Sequence, residues 1–241
     1  MCGDPLRGSS RGVMDLGKVR IIADGIYMIG GPDISHPDDA TSFIVGCKDE
    51  LVMIDAGAGA SARVLQKNVE DAGLDPKAIT TLILTHCHID HIGSAPYFRK
   101  QFGCKIVMHE LDADAVEEGE SLKTAASCYG TFFPPTPVDR RLTGDHEILT
   151  FGEQEIHCIH TPGHTPGSLS IYVDRGGKRI LFGQDIHGPF LDVFGSDIRR
   201  WRKSMELLLT LEADILCEGH FGIFQPKENV TRYIRRYLKN Y

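Results

Sequence analysis

Within six residues, His86-Cys87-His88-Ile89-Asp90-His91, the chain places four side chains able to bind a metal. They follow directly on the apolar stretch Thr81-Leu82-Ile83-Leu84-Thr85. That order reads as a buried strand delivering a ligand-bearing loop. Neutral imidazole is the commonest protein ligand for zinc, and a carboxylate can complete such a set. Four ligands so close are too many for one tetrahedral ion. The run calls for two neighbouring metals, and a paired metal centre implies an enzyme.

With 241 residues, 41% hydrophobic and 24% charged, the chain can bury a substantial core as an ordinary globular protein. No apolar run is long enough to span a bilayer. Residues 1–18, rich in Gly, Ser and charge, lack the apolar centre of an export signal. We read them as a flexible leader to a single catalytic domain over 19–241. The formal charge is −7, and Lys and Arg form no dense run, so no nucleic-acid partner is expected. Arg199, Arg200, Arg202 and Lys203 read as a solvated helix face. Seven cysteines include no CxxC pair, and free thiols in a cytoplasmic protein are expected. Cys87 is expected to pack rather than ligate.

The elements fall into two similar series. Strands are expected over 19–29 (broken at Asp24-Gly25), 41–46, 50–54, 81–85 and 105–108, with helices over 58–72 and 94–102. From about residue 141, strands are expected over 147–150, 155–160, 169–173, 179–182 and 215–217, with helices over 198–211 and 227–238. Two sheets packed face to face, with helices on both outer faces, would satisfy this order. The ligand candidates all lie at strand ends, which predicts a site along one edge of the sandwich.

Three further segments repeat the form of apolar strand, glycine, then ligand. They are Ile159-His160-Thr161-Pro162-Gly163-His164-Thr165-Pro166-Gly167-Ser168, Leu181-Phe182-Gly183-Gln184-Asp185 and Leu216-Cys217-Glu218-Gly219-His220. Together with the first run, this resembles the metallo-β-lactamase-fold hydrolase superfamily, with motifs similar to its glyoxalase II and lactonase branches. The resemblance extends over about 19–241. It implies a four-layer αβ/βα sandwich of two mixed β-sheets flanked by helices. It puts His86, His88 and His164 on a first metal, Asp90, His91 and His220 on a second, and Asp185 between both. Asp55 matches an aspartate that supports the metal loop from behind.

The chemistry is coherent without that resemblance. Two divalent ions with two aspartates and one bridging hydroxide leave a charge of about +1, which favours a polarised carbonyl. The expected reaction is hydrolysis of a small ester, thioester or lactone by a metal-bridging hydroxide. Asp90 is the natural group to orient or accept its proton. The alternative is an iron-dependent redox enzyme of the same fold, similar to persulfide dioxygenases. Zinc is the expected metal, although iron and manganese accept the same donors. His187, two residues beyond Asp185, is the second catalytic candidate, as oxyanion donor or general acid. His36, His109, His146, His157 and His160 are expected to be structural or solvent-facing. Segment 111–140 is longer than a minimal connection, and Tyr129, Phe132 and Phe133 are expected to wall an apolar substrate pocket. The partners expected are a small-molecule substrate and a second copy of the chain, with no membrane.

Overall fold

The computed structural model describes residues 14–16 and 19–241. The first sheet holds eight strands in chain order: β1 (Met14–Leu16), β2 (Val19–Ala23), β3 (Ile26–Gly30), β4 (Ser42–Cys47), β5 (Glu50–Ile54), β6 (Ile79–Ile83), β7 (Lys105–His109) and β8 (Arg140–Leu142). Pairing is antiparallel from β1 to β5 and parallel from β5 to β8. The second sheet holds β9 (His146–Phe151), β10 (Gln154–His160), β11 (Leu169–Arg175), β12 (Lys178–Gly183), β13 (Ile215–Glu218) and β14 (Gly222–Phe224). Its order is β14-β13-β12-β11-β10-β9, and only β12 and β13 run parallel. Of the expected leader, residues 1–13 and 17–18 lie outside the described residues. Met14–Leu16 extend the first sheet, with Leu16 opposite Val19.

Side-chain alternation sorts these strands into layers. Phe43, Val45, Val52, Ile54 and Ile83 point toward Ile171, Val173, Ile180, Phe182 and Cys217 of the opposite sheet. The Phe43 and Phe182 rings meet edge-on, with centroids 5.0 Å apart. Residues of opposite parity, such as Ile44, Met53 and Leu82, face the outer helices instead. Both faces are therefore apolar, which is why these strands read as continuous hydrophobic runs. Each such side chain removed from water contributes about 1.5–3 kcal/mol.

On the first sheet lie α1 (Ala62–Asp71), the single turn α2 (Ile89–Ile92), α3 (Ala95–Phe102) and α4 (Glu110–Glu118). On the second lie α5 (Ile198–Thr210) and α6 (Lys227–Asn240). Helix α1 buries Leu65 and Val69, and the Asn68 side chain donates to the Ile29 carbonyl at 2.8 Å. Asp197 caps α5 by accepting from the Arg199 and Arg200 amides. One face of α5 then buries Trp201, Met205 and Leu208 against Tyr233 and Ile234 of α6 and the second sheet.

Parallel pairing decides where function can sit. Because β5 and β6 run the same way, their C-terminal ends share one edge, and the same holds for β12 and β13. Open sheets of this kind bind ligands beyond those carboxyl ends. The opposite edge is tied by Arg175, whose guanidinium donates to the Asp24 and Gly46 carbonyls and to the Gln154 side chain.

Candidate metal centre

Asp55 follows β5, the His86 loop follows β6, Asp185 follows β12, and His220 follows β13. The remaining ligand candidate, His164, lies in the loop between β10 and β11. These elements bring all seven predicted ligands together in two groups. His86, His88, His164 and Asp185 offer donor atoms within 4.8 Å of one another, as do Asp90, His91 and His220. Asp185 stands between the groups. Its Oδ2 is 3.2 Å from His164 Nε2 and 3.7 Å from His86 Nε2, while Oδ1 is 3.2 Å from both His91 Nε2 and His220 Nε2. Asp90 Oδ2 is 3.4 Å from His220 Nε2 and 3.7 Å from His91 Nε2.

Hydrogen bonds behind the imidazoles fix which nitrogen faces the centre. Asp55 Oδ2 accepts from His91 Nδ1 at 2.8 Å and from the Thr85 hydroxyl, while its Oδ1 accepts from the Thr85 amide. The Pro189 carbonyl accepts from His164 Nδ1 at 2.9 Å. Both rings thus turn Nε2 toward Asp185, that of His91 without a hydrogen-bond partner and that of His164 also 2.9 Å from His88 Nδ1. Nε2 of His86, His88 and His91 and Oδ1 of Asp185 are buried without any hydrogen-bond partner. Unpaired acceptors facing one another in a buried site are costly. Cations among them remove that cost, so this His/Asp donor set fits divalent metal ions.

The field of the site acts in the same sense. Burial, reinforced by neighbouring imidazoles, holds His86 and His88 well below the usual histidine range, and so keeps them in the neutral, ligating form. Burial also disfavours charge on His220, but Asp185 and Asp90 outweigh it and lift the group to about 9. A position where two carboxylates favour a proton so strongly is one that attracts a cation.

Several supports have no counterpart in the sequence expectations. Asp112, fully buried in the first turn of α4, accepts from the Cys87 amide, the Thr165 hydroxyl and the Gly167 amide at 3.1, 2.7 and 2.7 Å. It thereby joins the loop of His86 and His88 to the loop of His164. A Cβ at Gly167 would lie 2.7 Å from that carboxyl group, and one at Gly163 would lie 2.4 Å from the Trp201 Cα. The glycines of the Pro-Gly-His-Thr-Pro-Gly segment are therefore required by close approach. The signal for Asp112 was a carboxylate three residues after a strand-ending histidine. Asp55 and Asp185 both adopt left-handed backbone conformations, with φ of 55° and 54°. Such strain, about 1–3 kcal/mol per residue, typically marks functional sites.

Glu218, buried in β13, accepts from the His220 and Phe221 amides through Oε2 and pairs with His187 Nδ1 through Oε1 at 2.9 Å. Burial raises its carboxyl group, but the His187 charge and hydrogen bond and His220 bring it below the usual range. One ionised side chain thus aligns a ligand and the catalytic candidate His187. The Trp201 indole donates to the Ile186 carbonyl at 3.1 Å and fixes the backbone between Asp185 and His187.

A cavity of about 370 Å³ opens over the ligands. Its lining combines the polar side chains of His88, Asp90, Asp185, His187 and His220 with Ala125, Tyr129, Leu191 and Phe194. Burial and the nearby Asp90 carboxylate push the Tyr129 phenol upward, so it stays a hydrogen-bond donor. Phe132, 70% exposed, lines an adjoining cavity. Phe133 departs from the expectation. It is 1% exposed and packs in the core beneath the first sheet, because consecutive residues of an extended segment point to opposite sides. Cys87 is buried, with its thiol on the Lys123 carbonyl, and the six cysteines among the described residues are free. His109 and His160 stack 3.8 Å apart, and His160 Nε2 donates to the Pro166 carbonyl of the His164 loop. His146 and His157 pair at 3.0 Å.

This two-sheet sandwich with its His/Asp cluster defines a metal-dependent hydrolase fold. The family model of the metallo-beta-lactamase superfamily matches residues 37–220, and the chain belongs to that superfamily. It is 29% identical over 189 residues to the probable metallo-hydrolase YqgX of Bacillus subtilis, covering 76% of this chain and 86% of that protein. It is 27% identical over 185 residues to the probable metallo-hydrolase MJ0888 of Methanocaldococcus jannaschii, covering 73% and 84%. Among solved structures, a mutant form of a Cronobacter sakazakii metallo-beta-lactamase superposes with a TM-score of 0.78 at 21% identity, over 91% of this chain and 93% of that one. A subclass B3 metallo-beta-lactamase of Bradyrhizobium japonicum gives 0.77 at 19% identity, over 92% and 91%. Among the described residues no helix is long and apolar enough to cross a membrane.

Proposed function

We propose that this protein is a dinuclear metal-dependent hydrolase that attacks the carbonyl carbon of a small ester, thioester or lactone. The observation that carries this reading is the division of Asp185, with one oxygen toward each ligand group. His86, His88 and His164 would hold one ion, Asp90, His91 and His220 the other, and Asp185 would serve both. Bound zinc ions supply Lewis acidity for the carbonyl and lower the pKa of water toward 7. Asp90, the carboxylate member of the second group, which lines the cavity with Asp185, orients the attacking water and accepts its proton. His187, whose Nδ1–H donates to the ionised Glu218, would serve as the imidazolium, through Nε2–H, the oxygen that develops charge when the carbonyl is attacked. Tyr129 offers a neutral donor beside Asp90, and Phe194, whose ring lies 4.3 Å from that of His88, excludes water on that side.

The test is metal analysis of protein purified without added metal, paired with a screen of esters, thioesters and lactones. About two zinc equivalents per chain and turnover of at least one class are expected. A His88→Ala variant that keeps full metal content and full turnover overturns the mechanism. A single iron with oxygen uptake on a persulfide substrate replaces hydrolysis by the redox alternative.

A further inference from the structure

Beside the cavity over the ligands lies a second of the same size, about 370 Å³. Tyr129 lines both, and Ile89 faces the second where its neighbour Asp90 faces the first. The chamber is built from backbone. A Cβ on Gly93 would fall 2.1 Å from the Ala58 carbonyl carbon, and one on Gly59 would fall 3.0 Å from the Gly93 oxygen. The floor exists only because both positions lack side chains. Its opposite wall is a clamped turn. Fully buried Asp39 accepts from the Ala58 amide at 2.8 Å and from the Ser35 hydroxyl, and the Asp38 amide donates to His36 Nδ1 at 3.2 Å. His36 and Asp38 face this space with the Tyr129 phenol and Thr131.

We propose that this chamber is a second subsite, which receives a neutral or cationic, hydrogen-bonding arm of the substrate while the scissile carbonyl stands over the metal ligands. The inference rests on the hydrolase reading and narrows its substrate class. Among the described residues, neither cavity is lined by a lysine or an arginine. Carboxylate-bearing ligands are usually held by such cations, often in bidentate pairs. Here Asp38, its Oδ2 3.7 Å from His36 Nδ1, is among the described residues the one carboxylate lining the second chamber, and it repels an anion. Thioesters of polyanionic carriers are thereby disfavoured, and esters or lactones with an ammonium or hydroxyl arm are favoured.

The test uses three butyrate esters of matched shape on the zinc-loaded full chain: choline, its neutral isostere 3,3-dimethylbutyl, and 3-carboxy-3-methylbutyl. The choline ester is expected to exceed the carboxylate ester in kcat/KM by about tenfold, the size of one partly screened charge interaction. Asp38→Lys is expected to move that ratio at least about tenfold toward the carboxylate ester. A uniform loss of activity cannot move a ratio, and metal content reports whether the variant is folded. Equal rates for the two charged esters, or a ratio unmoved by Asp38→Lys, overturns the subsite. If no ester is turned over, the hydrolase reading fails by itself for this class. Calorimetric titration of the three intact esters then judges the subsite by the same ratio, taken from dissociation constants.

Discussion

Asp112 holds both ligand loops without lining the cavity, so its influence on chemistry runs entirely through position. Its three accepted hydrogen bonds leave no room for an amide group, because an Asn nitrogen would face a donor. Asp112→Asn is expected to lower unfolding free energy by about 1–3 kcal/mol and to weaken metal binding about 10–100-fold. Urea unfolding and chelator competition measure the two effects. Unchanged metal affinity would show that the loops hold themselves. The clustering of the seven candidate ligands was legible because each type carries its chemistry openly and each sits after a strand. Asp112 was not, since a carboxylate early in a helix looks like any residue favoured by the helix dipole. Phe132 and Phe133 illustrate a second blind spot. Composition marks both as apolar, but only the direction of the extended backbone sends one outward and the other into the core.

At the scale of elements, α4 begins at a histidine whose ring is part of the junction. His109 Nδ1 accepts from the Leu111 amide, its ring stacks on His160, and its Nε2 is buried without a partner. Burial, then the neighbouring His160 and Arg200 against Glu147 and Asp145, lowers it to about 4. An unfolded chain regains the ordinary value near 6.5. Between those values the unfolded state binds more protons, so this group's contribution is intact above about 6.5 and is lost as pH falls toward 4. His109→Asn, which retains a side-chain acceptor for the cap, is expected to flatten stability against pH in that window by up to about 1 kcal/mol per pH unit. Urea midpoints of both proteins from pH 4 to 7 check this, and parallel curves would sink it. Helix α4 itself was not expected, because its buried face is made of small residues, Ala113, Ala115 and Val116, which give weak periodicity. The three-residue strands β8 and β14 were missed for want of length. Longer elements with large apolar residues, such as α5 and the β4–β5 hairpin, lay where hydrophobic spacing put them.

The molecule as a whole is joined at its ligand edge. His86, His88, Asp90 and His91 come from the first sheet's loops, whereas His164, Asp185 and His220 come from the second's. Metal bound there would link the two halves and add to the stability of the native state by mass action. Stripping it with a chelator is expected to reduce unfolding free energy by about 3–4 kcal/mol if free metal stood at 100–1,000 times its dissociation constant. Calorimetric scans with and without chelator measure the shift. Asp185→Ala should make the two scans coincide, and a chelator shift that persists in that variant would place the stabilising metal elsewhere. The far edge, gathered by Arg175, takes no part in this. Its turns at Gly152 and Gly176-Gly177 border open space, with no atom within 4 Å of where a Cβ would stand, while φ of 59°, 59° and 72° keeps the three glycines themselves in place and leaves insertion beside them as the route. They are therefore the natural attachment points for a fluorophore, a surface tether or a grafted peptide, at the opposite end of the strands from the candidate metal centre.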